Sequence, residues 1–197
     1  MIYRMKIKPH ERGLLFREGD LVTVLRPGVH WYLDPLLKLR LQIVSPRDPW
    51  LVHKDLDLIA KSGKLSGEAI VVDLKDHQRA LVWIDGRFAR VLDTGLHALW
   101  TSEREVRVET VDTRSMQLVH AELPAIIRAA GTGALLDVVQ VEPGHVTVWF
   151  RDGAYQATLN PGAYAFWKGA GKLKVVDVDL KEQTLDISGQ DIMTNDK

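Results

Sequence analysis

VVQVEPGHVTVWFRDG, residues 138–153, holds two apolar segments on either side of a Pro143-Gly144 turn. Val146, Val148 and Phe150 alternate with Thr147, Trp149 and Arg151, the period-two pattern of a strand. Asp152-Gly153 then gives a tight-turn dipeptide of the kind that joins antiparallel strands. AYQATLNPGAYAFW (154–167) predicts a second strand, closed by Asn160-Pro161-Gly162, and LKVVDVDL (173–180), Val-rich between polar flanks, predicts another. The stretch reads as a hairpin-rich, mainly β unit.

The same unit occurs three times. Gly19, Gly86 and Gly153 are 67 residues apart (86 − 19 and 153 − 86), and Gly28, Gly95 and Gly162 share that offset. So do Leu25, Leu92 and Leu159, then Val44, Val111 and Val178, then Leu51, Leu118 and Leu185. GLLFREGDLVTVLRPGVHW (13–31) and RALVWIDGRFARVLDTGLHALW (79–100) are the equivalents of the opening stretch. The copies run 5–69, 70–137 and 138–197. A common offset without gaps is the signature of a repeat architecture. The six recurring glycines are expected at turns, where a positive φ costs Gly nothing. Pro27-Gly28 and Pro161-Gly162 fit a type II turn, with Pro at the second position and Gly at the third.

Between the copies lie HKDLDLIAKSGKLSGE (53–68) and HAELPAIIRAAGTGALLD (120–137). Leu56 with Ile59, and Leu123 with Ile126 and Ile127, have helical spacing, and a Gly-containing stop follows each. Short helices are therefore expected to cap or link the β units. A unit of about 67 residues has a marginal core. Units in a row bury each other's faces, as solenoid repeats do.

Composition narrows the function classes. Hydrophobic residues make up 46% and charged residues 26%, which suits a folded domain. Lys plus Arg and Asp plus Glu are 26 each, so no net field draws in nucleic acid. There is no Cys, which excludes disulfides, Cys-ligated zinc and a Cys nucleophile. No apolar run approaches the roughly 20 residues that span a bilayer. MIYRMKIKPHERG (1–13) carries charges where a signal peptide has its apolar core. The expected location is cytoplasmic, neither spanning a membrane nor exported, with peripheral contact to the inner face of a membrane left open.

No catalytic, cofactor-binding or metal constellation assembles from the residues. His30 pairs with His97 and His53 with His120 at the repeat offset. Repetition makes these scaffold positions, where imidazole bonds to a turn or a helix start. His120-Ala-Glu122 lacks the further ligands of a zinc helix. Gly169-Ala-Gly171-Lys172 lacks the first Gly and the Ser or Thr of a phosphate loop. Ser62-Gly63-Lys64 reads as linker, since no Gly-x-Ser-x-Gly elbow exists. Asp112 and Asp179 are repeat-equivalent, which structure explains. Trp83, Trp149, Trp100 and Trp167 are expected in cores or between units. WYLDPLLKLR (31–40) is different, because Trp31, Tyr32, Leu36 and Leu37 accompany Lys38 and Arg40. Together with Trp50 these predict a membrane or partner surface.

The third copy resembles the opening of the stomatin/slipin branch of the SPFH (band 7) family. Arg151-Asp152-Gly153, Asn160-Pro161-Gly162, Val178-Asp179-Leu180-Lys181, Gly189-Gln190-Asp191 and Thr194-Asn195-Asp196 stand in the family's order and spacing. Asn160 replaces a family Gly, and Ser188 replaces the Pro of a Pro-x-Gln step. The first two copies look like degenerate duplications of the same segment. The array is also similar in architecture to the β-repeats of major vault protein. The resemblance implies a non-catalytic scaffold that self-associates as a homo-oligomer or docks proteins at a membrane. A membrane-bound serine protease of the NfeD type is the implied partner. It also implies an N-terminal part of a longer protein, continuing into the rest of the SPFH domain and a long helix. The alternative reading is a monomeric binding module, holding a ligand or polymer in the loops after Gly28, Gly95 and Gly162.

Overall fold

A computed structural model describes residues 2–129 and 132–181. Among the described residues the chain is mainly β, with two short helices. The first copy comprises β1 (Ile2–Ile7), β2 (Arg12–Arg17), β3 (Asp20–Leu25), β4 (Gly28–Leu33), β5 (Leu39–Val44) and α1 (Leu56–Lys61). The second comprises β6 (Ala69–Leu74), β7 (Gln78–Ile84), β8 (Arg87–Leu92), β9 (Gly95–Trp100), β10 (Val106–Asp112), β11 (Gln117–Leu118) and α2 (Leu123–Arg128). After a 3-10 turn at Thr132–Ala134, the third has β12 (Leu136–Val141), β13 (His145–Arg151), β14 (Ala154–Leu159), β15 (Gly162–Trp167) and β16 (Leu173–Asp179). The first strands of the three copies begin at Ile2, Ala69 and Leu136, again 67 apart (69 − 2 and 136 − 69). The chain divides into two compact units, residues 1–137 with 165–170, and residues 138–164 with 171–197.

Pairing repeats as faithfully as position. In each copy the second strand is central in a three-stranded antiparallel sheet, ordered β3-β2-β5, β8-β7-β10 and β14-β13-β16. The first strand pairs with the fourth, as β1 with β4 and β6 with β9. The central strand shifts register at Leu15/Phe16, Val82/Trp83 and Trp149/Phe150, one bulge per copy at the same offset. The hairpin ahead of the third strand turns on Glu18-Gly19, Asp85-Gly86 and Asp152-Gly153. Both residues of each pair have positive φ, as a type I′ turn requires.

The second set of glycines differs from expectation. Gly28 and Gly162 have φ of +144° and +152°, far from the roughly +80° of a type II turn. They open β4 and β15, so each reverses the backbone at a strand start. Gly95 does the same at φ +114°, and a side chain there would meet nothing within 4 Å of its Cβ. Gly95→Val therefore loses stability through backbone strain alone, by about 1–3 kcal/mol. An unchanged thermal midpoint contradicts this account of the glycine.

Two kinds of core follow from the pairing. Strand β2 is buried on both faces. Leu15 joins Ile7 and Leu25 in a small cluster inside the first copy. Leu14 and Phe16, one residue out of phase, face a larger cluster with Leu21, Leu51, Ile59, Leu65, Ala98 and Trp100. That cluster unites the first sheet, the linker with α1, and β9 of the second copy. The equivalent cluster holds Leu81, Trp83, Leu118, Ile126, Leu136, Ala165 and Trp167. The junctions between copies bury more apolar side chains than the interior of the first copy. The hydrophobic contribution, about 1.5–3 kcal/mol per fully buried Leu or Ile, is concentrated there.

Hydrogen bonds reinforce the junctions. The Leu51 amide donates to the Ala98 carbonyl at 3.0 Å, and the Trp100 amide to the Pro49 carbonyl at 2.8 Å. In the second junction β11 pairs with β15, matching Gln117 with Phe166 and Leu118 with Ala165. The Trp167 amide donates to the Met116 carbonyl at 2.7 Å. The segments after β5 and β10 thus pair with the fourth strand of the next copy.

Candidate functional site

The histidines serve the repeat. Nε2 of His30 donates to the Arg26 carbonyl at 2.8 Å, and Nε2 of His97 to the Asp93 carbonyl at 2.9 Å. In the third copy the Tyr164 hydroxyl donates to the Asn160 carbonyl at 3.0 Å from the same offset. Two side-chain types thus perform one turn-closing task. His53 and His120 instead start the linker helices. Their Nδ1 atoms accept the Asp55 and Glu122 amides, each at 3.0 Å. Their rings stack on Phe16 and Trp83, with centroids 5.6 and 5.3 Å apart. Among the described residues no group of three His, Cys, Asp or Glu could hold a metal ion.

Glu122 does more than complement a helix dipole. It makes no side-chain cap bond to α2. Its carboxylate accepts Trp83 Nε1 at 2.7 Å and Arg107 Nη2 at 2.5 Å. The Arg107 bond holds its carboxyl below the ordinary range, against the opposing push of burial. The Arg107 guanidinium also lies 3.9 Å over the Trp83 ring. Asp112 accepts both the side chain and the backbone amide of Arg114, which lowers its carboxyl to about 2. Asp179 accepts the Lys181 amide at 2.9 Å in the equivalent turn. The Gly169–Lys172 segment leads into strand β16, where a phosphate loop leads into a helix. Lys172 donates its amide to Asp152 Oδ1 at 2.8 Å, and Asp152 returns its own to the Lys172 carbonyl at 3.0 Å.

Two clefts obey the repeat. One, of about 390 Å³, is lined by Phe16, Gly19, Lys38, Arg40, His53 and Asp55 among others. The other, of about 250 Å³, is lined by Trp83, Gly86, Glu105, Arg107 and Glu122. Lys38 becomes Glu105 at the equivalent place, and Arg107 is already paired with Glu122. The two clefts therefore offer different charges to a ligand. The stretches after Gly28, Gly95 and Gly162 are strands, which leaves no open loop at those positions.

The structure separates the residues of the expected membrane or partner surface. Trp31 is 64% exposed on β4, and Leu36 and Leu37 are exposed on the loop that follows. That loop is pinned by buried Asp34, whose carboxylate accepts the Leu39 amide at 2.8 Å. Lys38 is exposed and ion-paired to Glu18. Arg40 is also exposed. Tyr32 turns inward against the first copy's core. Trp50 packs on the second copy's core, under the Arg90 guanidinium at 3.5 Å. Neither inward residue was distinguishable by composition from its exposed neighbours.

What sequence reasoning missed is a face. Leu14, Phe16, Leu21 and Val44 belong to the first junction, and Leu81, Trp83, Phe88 and Val111 to the second. Their equivalents are Val148, Phe150, Tyr155 and Val178, with Tyr155 60% and Val178 41% exposed. Val176, opposite Val148, is also exposed. The 67-residue offset was the signal that could have found this face. Gly189-Gln190-Asp191 and Thr194-Asn195-Asp196 lie outside the described residues. Among the described residues no helix is long and apolar enough to cross a membrane. No protein-family model, no curated protein and no solved structure matches the chain.

Proposed function

We propose that this chain is a non-catalytic assembly or docking module of a slipin-like SPFH scaffold, acting through self-association close to a membrane. The observation that carries the reading is the exposure of Trp31 and Leu33, whose equivalents in both internal junctions are buried, and of Tyr155 and Val178, whose equivalents Leu21, Val44, Phe88 and Val111 are buried or half-buried there. A copy of a repeat array buries its apolar face against a neighbouring unit. Trp31 and Leu33 of the first copy are exposed where Ala98, Ala165, Trp100 and Trp167 are buried, and Tyr155 and Val178 of the third copy are exposed as well. Light scattering after size exclusion, over about a hundredfold range of concentration, is the test. A discrete oligomer, or a mass that rises from 22.2 kDa with concentration, supports the reading. A single monomer mass throughout contradicts self-association through these copies.

The membrane part of the proposal rests on Leu36 and Leu37, exposed beside Lys38 and Arg40 on a pinned loop. Apolar side chains flanked by basic ones suit the interface of an anionic bilayer. Reversing both charges, Lys38→Glu with Arg40→Glu, is expected to abolish sedimentation with phosphatidylserine vesicles. Parent protein that fails to sediment, or a variant that sediments equally, removes the membrane from the proposal. An NfeD-type protease remains a proposed partner on the family resemblance.

A further inference from the structure

The internal junctions show what covers the face that the described residues leave open on the third copy. In each, the outer side of a three-stranded sheet is closed by a linker helix and by the fourth strand of the following copy. That strand presents Ala98 and Trp100 in β9, and Ala165 and Trp167 in β15, all buried. The first copy has an equivalent strand, β4, which presents Trp31 and Leu33 at 64% and 68% exposure. Among the described residues, strand β4 is also paired on one edge only, to β1. The corresponding second edges of β9 and β15 are taken by the bridge at Trp50 and by β11. Among the described residues, the third copy's sheet face and strand β4 thus lack the cover that their equivalents have inside the chain.

We propose that a second copy of this chain supplies the missing half. The outer side of β4, with Trp31 and Leu33, docks on the Val148, Phe150, Tyr155 and Val178 face of another molecule. This rests on the scaffold reading above and names its partner. The residue chemistry supports the match. Trp31-x-Leu33 keeps one aromatic and one small-to-medium apolar residue, with the ring two positions earlier than in Ala98-x-Trp100. The receiving face changes in the opposite sense. Val148 stands where Leu14 and Leu81 stand, and Thr158 where Val24 and Val91 stand, which makes room for a displaced indole. The interface is heterologous, so it propagates head to tail, into a ring if the rotation closes and a filament if it does not.

Two variants test it. Trp31→Glu with Leu33→Glu blocks the presenting strand, and Tyr155→Glu with Val178→Glu blocks the receiving face. All four side chains are exposed, and circular dichroism and thermal midpoints near the parent's verify that each variant folds. Each variant alone is expected to remain monomeric at concentrations where the parent associates. An equimolar mixture is expected to form a dimer of twice the 22.2 kDa chain mass that does not grow further, because each molecule retains one competent end. Variants that associate as the parent does overturn the end-to-end contact and leave the scaffold reading standing. Folded variants whose mixture stays monomeric also overturn it. A parent that is monomeric at every concentration overturns both.

Discussion

Trp100→Ala is expected to lower stability by about 3–5 kcal/mol, the range for truncating a buried indole. The Trp100 side chain is 1% exposed and lies where the first sheet, α1 and β9 converge. Its loss leaves a cavity bordered by residues of two copies. The surrounding strands are held by backbone bonds on both sides, so collapse into that cavity is limited. Leu33→Ala is the internal control, since Leu33 holds the equivalent position but is 68% exposed. At concentrations where the parent is monomeric, its cost is expected within about 0.5 kcal/mol. Urea unfolding of both variants measures the contrast. Equal losses would show that the junction is not where the stability resides.

Glu68→Ala is expected to cost about 3 kcal/mol, because it strands a buried cation. Glu68 closes the first copy onto the start of the second. Its carboxylate accepts Arg12 Nε at 3.0 Å and Arg26 Nε at 2.6 Å. The Arg12 and Glu68 side chains are each 8% exposed, whereas Arg26 is 73% exposed and contributes little. Removing Glu68 leaves Arg12 with Glu103 at 3.8 Å and the Glu11 carbonyl. Burial pushes the Glu68 carboxyl up, but the two arginines outweigh it and hold it below its ordinary 4.5. A carboxyl lowered in the folded state stabilises fully above its unfolded value and loses that effect as pH falls through the folded one. The parent therefore loses this contribution below about pH 4.5, and the alanine variant, which never had it, shows a flatter acid limb. Urea midpoints from neutral to acid pH distinguish the two. Identical acid limbs would contradict the role of Glu68.

Much of the fold was legible because the repeat acts on backbone geometry. Positive φ at Gly19, Gly86 and Gly153 leaves a glycine behind in every copy, and the hairpins follow from it. Copy boundaries were less legible. The first strand of each copy pairs with the fourth, about two dozen residues away, so no local turn marks its start at Ile2, Ala69 or Leu136. Thr147 and Trp149 are buried in β13 while Val146 and Val148 are only half buried. Alternation identified the strand but not its buried side. Leu81 and Trp83 are buried under α2 and β15, and no described segment covers Val148 and Phe150 in that way. Of the residues read in sequence as a surface, Trp31, Leu36 and Leu37 are exposed. Trp50 and Tyr32 looked alike in sequence yet turn inward, since burial depends on pairing with strands far along the chain.

Clusters shared across the copy boundaries predict that the copies unfold together, and amide hydrogen exchange, resolved by residue, tests this most directly. The Leu51, Trp100 and Trp167 amides bond across the copy boundaries, whereas those of Leu81 and Val82 sit inside a sheet. The three boundary amides are expected to exchange as slowly as those of Leu81 and Val82, through the same global opening. Boundary amides that exchange at loop rates, while Leu81 and Val82 stay protected, would show that the copies fold separately and would contradict the shared cores.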